Sequence, residues 1–219
     1  MNVSGGASFQ VSVVLDSLET RERAARVIAA GGVVAFRTDT FYGLGADPFN
    51  RDALNRVNEL KGRDGKPILV VVSDEDVVER FIAGKSQLFE AVVRRHWPGA
   101  LTLVTEAKGE VPSELTAGSQ TVGLRLPDDE EVRSFVRATG GALTATSANL
   151  AGEPPARSAA EVARAFPTGL DLIVDGGPSR GDKPSTVLAL DGDEPRLIRE
   201  GAVTRSELED TFRAIGVKI

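Results

Sequence analysis

Apolar residues recur along this chain with the spacing of helix faces, and short apolar runs of the kind found in buried strands lie between them. Ala53, Leu54, Val57 and Leu60 share one face of a predicted helix, and the apolar run 68–72 follows it. Such alternation is typical of an α/β domain, in which helices pack against a sheet. The fold is therefore predicted to be a single α/β domain.

Eight apolar runs are predicted to be strands. They span residues 33–36, 68–72, 101–105, 122–126, 143–146, 172–174, 187–190 and 197–199. The last three runs lie close together in the sequence, which favours a mixed sheet over a purely parallel one. Asn50 and Ser86 are predicted N-caps, and the S/T-x-x-E patterns at Ser158–Glu161 and Thr204–Glu207 predict capping boxes.

Length and composition limit the classes of site that the chain can build. The 219 residues include no cysteine and one histidine, His96, so disulfides, thiolate catalysis and zinc sites rich in Cys or His are excluded. A structural role is expected for His96. Residues 1–10 are predicted to be loose, 11–205 to form the domain, and 206–219 to form a helix packed on it. No signal peptide or apolar run of roughly 20 residues is present, so the protein is predicted to be cytoplasmic and not membrane-bound.

A basic loop precedes the run 68–72. It carries Lys61, Arg63 and Lys66, and Gly62 and Gly65 allow its backbone to approach a ligand closely. Three cations in six residues suit a polyanion such as a phosphate chain, because Arg binds phosphate oxygens in pairs and Lys acts as a point charge. The alternative is a solvated basic loop. The G-x-x-x-x-G-K-[ST] pattern of a P-loop is absent.

Three further polar segments interrupt the strand pattern. They span residues 37–45, 144–149 and 175–186, and each offers hydroxyls, glycines or amides at a strand end, where α/β proteins bind ligands. Asp39 alone is interpreted as a turn residue. Ser147 has no base beside it in the sequence and no G-x-S-x-G motif, which favours binding over nucleophilic catalysis.

Two arginines stand at strand positions. Arg125 interrupts the apolar run 122–126, and an unpaired cation is costly to bury. It is expected either to pair with an acidic residue or to bind a substrate carboxylate. Arg199 is a second cation at a strand end, just before a predicted helix.

Taken together, these segments resemble those of the YrdC/TsaC family, the threonylcarbamoyl-AMP synthases. The matching stretches are T-D-T-F-Y-G-L-G, K-G-R, W-P-G-A-L-T-L-V, V-G-L-R-L-P, T-S-A-N-L-A-G, D-G-G-P, S-T-V and L-I-R-E-G-A-V-T. Each is weak alone, but their shared order and spacing over about 11–204 are specific. The resemblance implies a twisted, mostly mixed or antiparallel sheet with flanking helices and a large, positively lined concave groove.

The resemblance also implies an activity. The family joins L-threonine, bicarbonate and ATP into threonylcarbamoyl-AMP and pyrophosphate, a nucleotidyl transfer. A downstream transferase then modifies the adenosine next to the anticodon of tRNA. The resemblance is also compatible with a weak direct contact between this protein and tRNA. Magnesium is expected to accompany ATP through its phosphates, without side-chain ligands.

Site residues follow from the motifs of the family. Lys61 and Arg63 of K-x-R are the expected catalytic charges at the phosphates. The expected ATP contacts are Lys61, Arg63, Lys66, Thr121, Ser147, Asn149 and Arg199. The expected threonine contacts are Thr40, Arg125, Ala145 and Ser185. No general base is evident, so catalysis is expected to rest on alignment of the reactants and neutralisation of phosphate charge.

The chain departs from the family pattern at two places in these motifs. Asp64 stands where the family has Pro after K-x-R, in a loop one residue short, and Pro184 replaces Glu in G-x-E-S-T-V. A paralogue with low activity is therefore one alternative. An RNA-binding or ribosome-maturation module is another, although a net charge of −6 argues against it. A domain acting on carbamoyl phosphate is a third.

Overall fold

The computed structural model describes residues 11–62, 65–191 and 195–217. Its helices are α1 (Leu18–Ala29), α2 (Arg51–Lys61), α3 (Gln87–His96), α4 (Ser113–Thr116), α5 (Glu130–Ala138), α6 (Ala159–Ala165) and α7 (Arg205–Ala214). Its strands are β1 (Val13–Leu15), β2 (Val34–Arg37), β3 (Tyr42–Gly45), β4 (Val70–Val72), β5 (Leu101–Glu106), β6 (Thr121–Arg125), β7 (Ala142–Thr144), β8 (Thr146–Ser147), β9 (Leu172–Asp175), β10 (Thr186–Ala189) and β11 (Arg196–Arg199). A 3-10 helix spans Glu75–Arg80.

The described strands form two mixed sheets. One has the order β1-β9-β2-β3-β8, with β1, β9 and β2 parallel and the remaining pairs antiparallel. The other has the order β11-β10-β5-β6-β4-β7, in which β10 with β5 and β6 with β4 are parallel. The predicted mixed α/β fold is confirmed, and its strands divide between two sheets.

Central strands are buried on both faces, which explains their continuous apolar runs. In β2, Ala35 packs into the larger core cluster, whereas Val34 and Phe36 pack into a second cluster with α1 and α5. In β4, Val71 faces the second cluster and its neighbours face the larger one. The two sheets therefore share both cores.

The segment 37–45, predicted to be a polar loop, contains strand β3. All four residues of β3 are buried, and it pairs with β2. Gly45 makes this close pairing possible, because a Cβ there would lie 2.8 Å from a ring carbon of Phe36. The loop prediction is wrong for Tyr42–Gly45 and holds for the turn before it.

The predicted strand 143–146 is divided between the two sheets. β7 belongs to the six-stranded sheet and β8 to the five-stranded sheet. The fully buried Thr144 joins them, since its Oγ1 accepts the N–H of Ala46 at 2.8 Å and donates to the carbonyl of Leu44 at 2.9 Å. The chain thus crosses between sheets at Ala145.

Helix caps follow the sequence closely. Asn50 and the residue before α3 cap their helices as predicted, and Thr204–Glu207 forms a reciprocal capping box. Ser158 caps α6, but the carboxylate of Glu161 accepts the N–H of Arg157 at 2.6 Å, so the expected reciprocal bond is displaced by one residue.

The predicted domain limits lie near the two ends of the chain. Residues 1–10, predicted to be loose, lie outside the described residues. At the other end, α7 packs Leu208 and Phe212 into the larger core cluster. The proposed limits at 11, 205 and 206 stay predictions. In the described part of the chain, no helix has the length and apolarity needed to cross a membrane.

Candidate functional site

A concave pocket of about 1010 Å³ is lined by residues of both sheets. The turn after β2, strand β3 and strand β8 supply one side, and β4, β5, β6, β10 and β11 supply the other. Eight of the predicted site residues line it. They are Thr40, Lys66, Thr121, Arg125, Ala145, Ser147, Ser185 and Arg199.

The turn after β2 presents two threonine hydroxyls. Thr38 is 2% exposed, and its Oγ1 accepts the N–H groups of Thr40 and Phe41 while donating to the carbonyl of Phe41 at 2.6 Å. Because that hydroxyl proton is used, the 3.1 Å contact between the two threonine hydroxyls is donated by Thr40. Thr38 therefore orients the hydroxyl of Thr40 in the pocket wall.

Arg125 both lines the pocket and forms an ion pair. Its Nη1 lies 2.5 Å from the carboxylate of Asp39, and its Nη2 lies 3.4 Å from the hydroxyl of Thr40. Asp39, interpreted from the sequence only as a turn residue, is thus the partner of a buried cation. The pairing with an acidic residue, predicted as one alternative for Arg125, is confirmed. Binding of a substrate carboxylate by Arg125 stays a prediction, and its position in the pocket is compatible with that role.

A second cation reaches the pocket from β11. Arg199 donates to the carbonyl of Ser185 at 2.8 and 3.3 Å and to its hydroxyl at 3.3 Å. The hydroxyl of Ser185 also lies 3.0 Å from that of Thr102 in β5. Burial and the nearby charge of Arg125 lower the pKa of Arg199. An anion in the pocket would offset the repulsion between the two guanidiniums.

Three more of the lining residues predicted from the sequence, Ala145, Ser147 and Thr121, have small side chains. Ala145 is held by its N–H, which donates to the carbonyl of Leu69 at 2.8 Å. Ser147 pairs with Gly43 of β3, and the hydroxyl of Thr121 lies 2.9 Å from that of Ser119. These residues leave space at the crossing between the sheets, as the sequence pattern predicts.

Lys61 and Asn149 do not belong to the described lining of the pocket. Lys61 is 5% exposed, and its ammonium donates to the carbonyls of Ser147 and Asn149, each at 2.5 Å. Arg63 and Asp64 lie outside the described residues, so their predicted roles stay predictions. Pro184, a departure from the family motif, lines the pocket.

Some lining residues were missed from the sequence. Thr102 is one polar residue in the apolar run of β5 and faces Ser185. A lone hydroxyl residue inside an apolar strand is the signal that identifies it. Asp182 also lines the pocket, from a segment that the sequence marks as polar. No group of three or more His, Asp or Glu residues in the described part of the chain could hold a metal ion.

Tyr42 connects β3 with the segment that follows β9. Its hydroxyl donates to the carbonyl of Gly177 at 2.7 Å and lies 3.2 Å from the carboxylate of Asp175. Burial and the charge of Asp175 raise the pKa of Tyr42. The phenol therefore stays neutral and holds the base of the 175–186 segment.

His96 contacts the C-terminal helix. Its Nε2 lies 2.8 Å from the hydroxyl of Thr211, which donates its own proton to the carbonyl of Glu207. The imidazole is therefore the donor in the contact with Thr211. Burial and the charge of Arg95 lower the pKa of His96, against a smaller opposing effect of Glu207. These contacts are structural, as expected from the sequence.

Comparison with known proteins gives a family. The Sua5/YciO/YrdC family model, described as "Telomere recombination", matches residues 26–201. The threonylcarbamoyl-AMP synthase of Bacillus subtilis (strain 168) is 37% identical over 210 residues, covering 93% of this chain and 61% of the relative. The protein of that name from Thiobacillus denitrificans is 38% identical over 181 residues, covering 80% of this chain and 96% of the relative.

Solved structures agree with these sequence matches. The crystal structure of P. abyssi Sua5 complexed with L-threonine superposes with a TM-score of 0.87 and 33% identity, covering 95% of this chain and 62% of that chain. E. coli YciO gives a TM-score of 0.77 and 25% identity, covering 88% and 95%. The chain spans about 60% of the length of some relatives, such as those of B. subtilis and Pyrococcus abyssi (61% and 57%).

Proposed function

This chain belongs to the Sua5/YciO/YrdC family, and on that premise we propose that it synthesises threonylcarbamoyl-AMP from L-threonine, bicarbonate and ATP, with release of pyrophosphate. One observation carries the proposal: Arg125 and Arg199, from different strands, reach one pocket lined by the hydroxyls of Thr40 and Ser185. Two cations beside neutral hydrogen-bonding groups suit a substrate pair that carries a carboxylate and a triphosphate.

The threonine subsite is proposed around Arg125. Its guanidinium is already oriented by Asp39 and would bind the carboxylate of the amino acid. Thr40 and Ser185 would contact its polar groups, and Ala145 would contribute backbone at the crossing between the sheets. The P. abyssi structure with bound L-threonine supports this assignment of substrate.

The ATP subsite is proposed around Arg199. Thr121, Ser147 and Lys66 line the same pocket, and Arg63 is proposed as a phosphate contact by resemblance to the family. The lining cations, which are Lys66, Arg125, Arg196 and Arg199, outnumber the lining carboxylates of Asp182 and Asp191. This excess supports a positively lined groove that attracts the nucleotide.

The reaction needs no side-chain nucleophile. The amine nitrogen of threonine attacks carbon dioxide derived from bicarbonate, loses a proton and becomes an N-carboxylate. An oxygen of this carboxylate then attacks the α-phosphorus of ATP, and the bond from that phosphorus to the bridging oxygen breaks as pyrophosphate leaves. The residues of the pocket align the two reactants and neutralise phosphate charge.

Magnesium is proposed to enter with ATP. Among the described residues, the polar side chains that line the pocket are mainly hydroxyls and cations, and no group of three or more acidic or histidine ligands is found. The phosphate oxygens of ATP would therefore hold the magnesium ion, which neutralises phosphate charge when bound. We further propose that the protein acts in the cytoplasm and passes its product to a threonylcarbamoyl transferase acting on tRNA, with weak direct tRNA contact.

A pyrophosphate-release assay tests the proposal. Purified protein receives Mg-ATP and bicarbonate, with and without L-threonine. We expect threonine-dependent release, and a loss of on the order of 100-fold in kcat/KM for Arg125→Met. Arg213→Met is the matched control, because that side chain is 75% exposed. Pyrophosphate release that does not depend on threonine would overturn the proposal. An Arg125→Met variant as active as the wild type would also overturn it.

A further inference from the structure

Lys61 ends helix α2 and turns its side chain into the protein. It is 5% exposed, and the following Gly62 has a φ of 56°, which redirects the backbone away from the helix axis. The ammonium thus lies in the interior.

The ammonium contacts one short segment at three points. Its Nζ donates to the carbonyl of Ser147 at 2.5 Å, the carbonyl of Asn149 at 2.5 Å and the side-chain Oδ1 of Asn149 at 3.0 Å. An ammonium has three N–H donors, and all three can be used by these oxygens. Because a buried charge requires such partners, the segment and the cation stabilise each other.

The side-chain amide of Asn149 extends this contact. Its Nδ2 donates to the carbonyls of Leu150 at 2.9 Å and Glu153 at 2.6 Å, which directs Oδ1 toward Lys61. The backbone N–H of Asn149 also donates to the carbonyl of Ser147 at 3.0 Å. Residues 147–153 are therefore held by one buried cation and by the side-chain amide of Asn149.

Resting on the proposed function, we infer that Lys61 is a positioning residue, which holds the wall of the pocket at Ser147, two residues from Ala145, instead of binding the phosphates of ATP. Ser147 and Ala145 line the pocket, whereas Lys61 and Asn149 do not belong to its described lining. The positive charge of Lys61 acts through carbonyl groups, and the substrates contact the other side of the same segment.

Two measurements on Lys61→Met separate the roles, and neither needs turnover. A positioning role predicts faster amide hydrogen exchange at 147–153 without any ligand. It also predicts threonine binding weaker by on the order of tenfold, about the loss of one hydrogen bond in the pocket. A pure phosphate contact predicts neither change, because threonine carries no phosphate. Lys66→Met is the control, since its side chain lines the pocket: ATP should bind more weakly, with exchange at 147–153 unchanged.

Asn149→Ala provides a second variant if Lys61→Met fails to fold. It keeps the cation and removes the amide that ties it to 150–153, so exchange there should also rise. Wild-type exchange at 147–153 in either folded variant, with only ATP binding weakened, would overturn the inference. Absence of threonylcarbamoyl-AMP from the wild type would instead count against the proposed function, because the exchange measurement uses no substrate.

Discussion

The guanidinium of Arg125 lies 2.5 Å from the carboxylate of Asp39, and only 7% and 10% of the two side chains are exposed. The two residues are 86 positions apart, so the pair joins strand β6 to the turn after β2. Losing one member of such a pair leaves an uncompensated charge, whereas replacing both members by neutral groups costs much less. This difference separates the structural role of Arg125 from its proposed binding role.

Arg125→Met should destabilise the protein by about 3–5 kcal/mol, because Asp39 is left unpaired in a buried site. The double variant Asp39→Asn/Arg125→Met should recover most of that loss in urea unfolding. Threonine binding, measured by calorimetry, should stay lost in both variants. Restored threonine binding in the double variant would contradict the proposed carboxylate contact.

Gly181→Ala should reduce threonine binding by displacing Thr40. A Cβ at Gly181 would lie 2.7 Å from the Cα of Thr40 and 2.9 Å from the carbonyl oxygens of Asp39 and Thr40, all backbone atoms that cannot rotate away. We expect a higher KM for threonine and lower stability. Gly84→Ala is the control, because a Cβ there meets no atom within 4 Å. An unchanged KM in Gly181→Ala would show that this contact does not position Thr40.

Asp129→Asn should destabilise the protein by about 3 kcal/mol near neutral pH. The Arg37 guanidinium lies 2.7 Å from this carboxylate, and the pair is almost fully buried. Burial alone would raise the pKa of Asp129, but the hydrogen bond and charge of Arg37 outweigh it and the pKa is lowered.

The pH dependence of this effect follows from the lowered pKa. The carboxylate stabilises the fold fully above the unfolded value of 3.8 and loses that contribution as pH falls through the lower folded value. Urea unfolding of wild type and Asp129→Asn should therefore converge in acid. The exposed Asp128→Asn should stay within about 0.5 kcal/mol of wild type. A constant difference between wild type and Asp129→Asn down to the lowest pH would refute the assignment.

His96 should make the fold less stable in mild acid. Its pKa is lowered in the folded protein, so the unfolded chain binds the proton more readily below the ordinary value of 6.5. Stability is full above 6.5 and declines as pH falls toward the folded pKa. No other histidine titrates there, since the sequence has one. His96→Gln should make the unfolding midpoint less dependent on pH in this window. An equal pH dependence of the midpoint in both proteins would contradict the prediction.

Much of the scaffold could be predicted because its central strands are buried on both faces and read as apolar runs. Strand β3 was missed because its two glycines and the polar turn before it resemble a loop. Strand β1 has three residues, of which Val13 and Leu15 are exposed, so it carries little hydrophobic signal. The division of 143–146 between sheets depends on the buried hydroxyl of Thr144, which the apolar pattern does not reveal.

The site was predictable in its composition and less so in its pairings. Motifs identified Arg125, Ser185 and Arg199 as lining residues, and the pocket contains them. The partner of Arg125 and the acceptors of Lys61 lie more than 80 positions away, and a single sequence does not specify such contacts. Local spacing therefore predicts which groups are available, and the tertiary fold determines which of them face the substrate.

Transfer of labelled carbon tests the central claim most directly. The wild-type protein would be incubated with Mg-ATP, L-threonine and ¹³C-bicarbonate, and the nucleotide products analysed by mass spectrometry. The account predicts threonylcarbamoyl-AMP that carries the label in its carbamoyl carbon, together with an equal amount of pyrophosphate. Bound ATP and threonine that yield no labelled threonylcarbamoyl-AMP would contradict it.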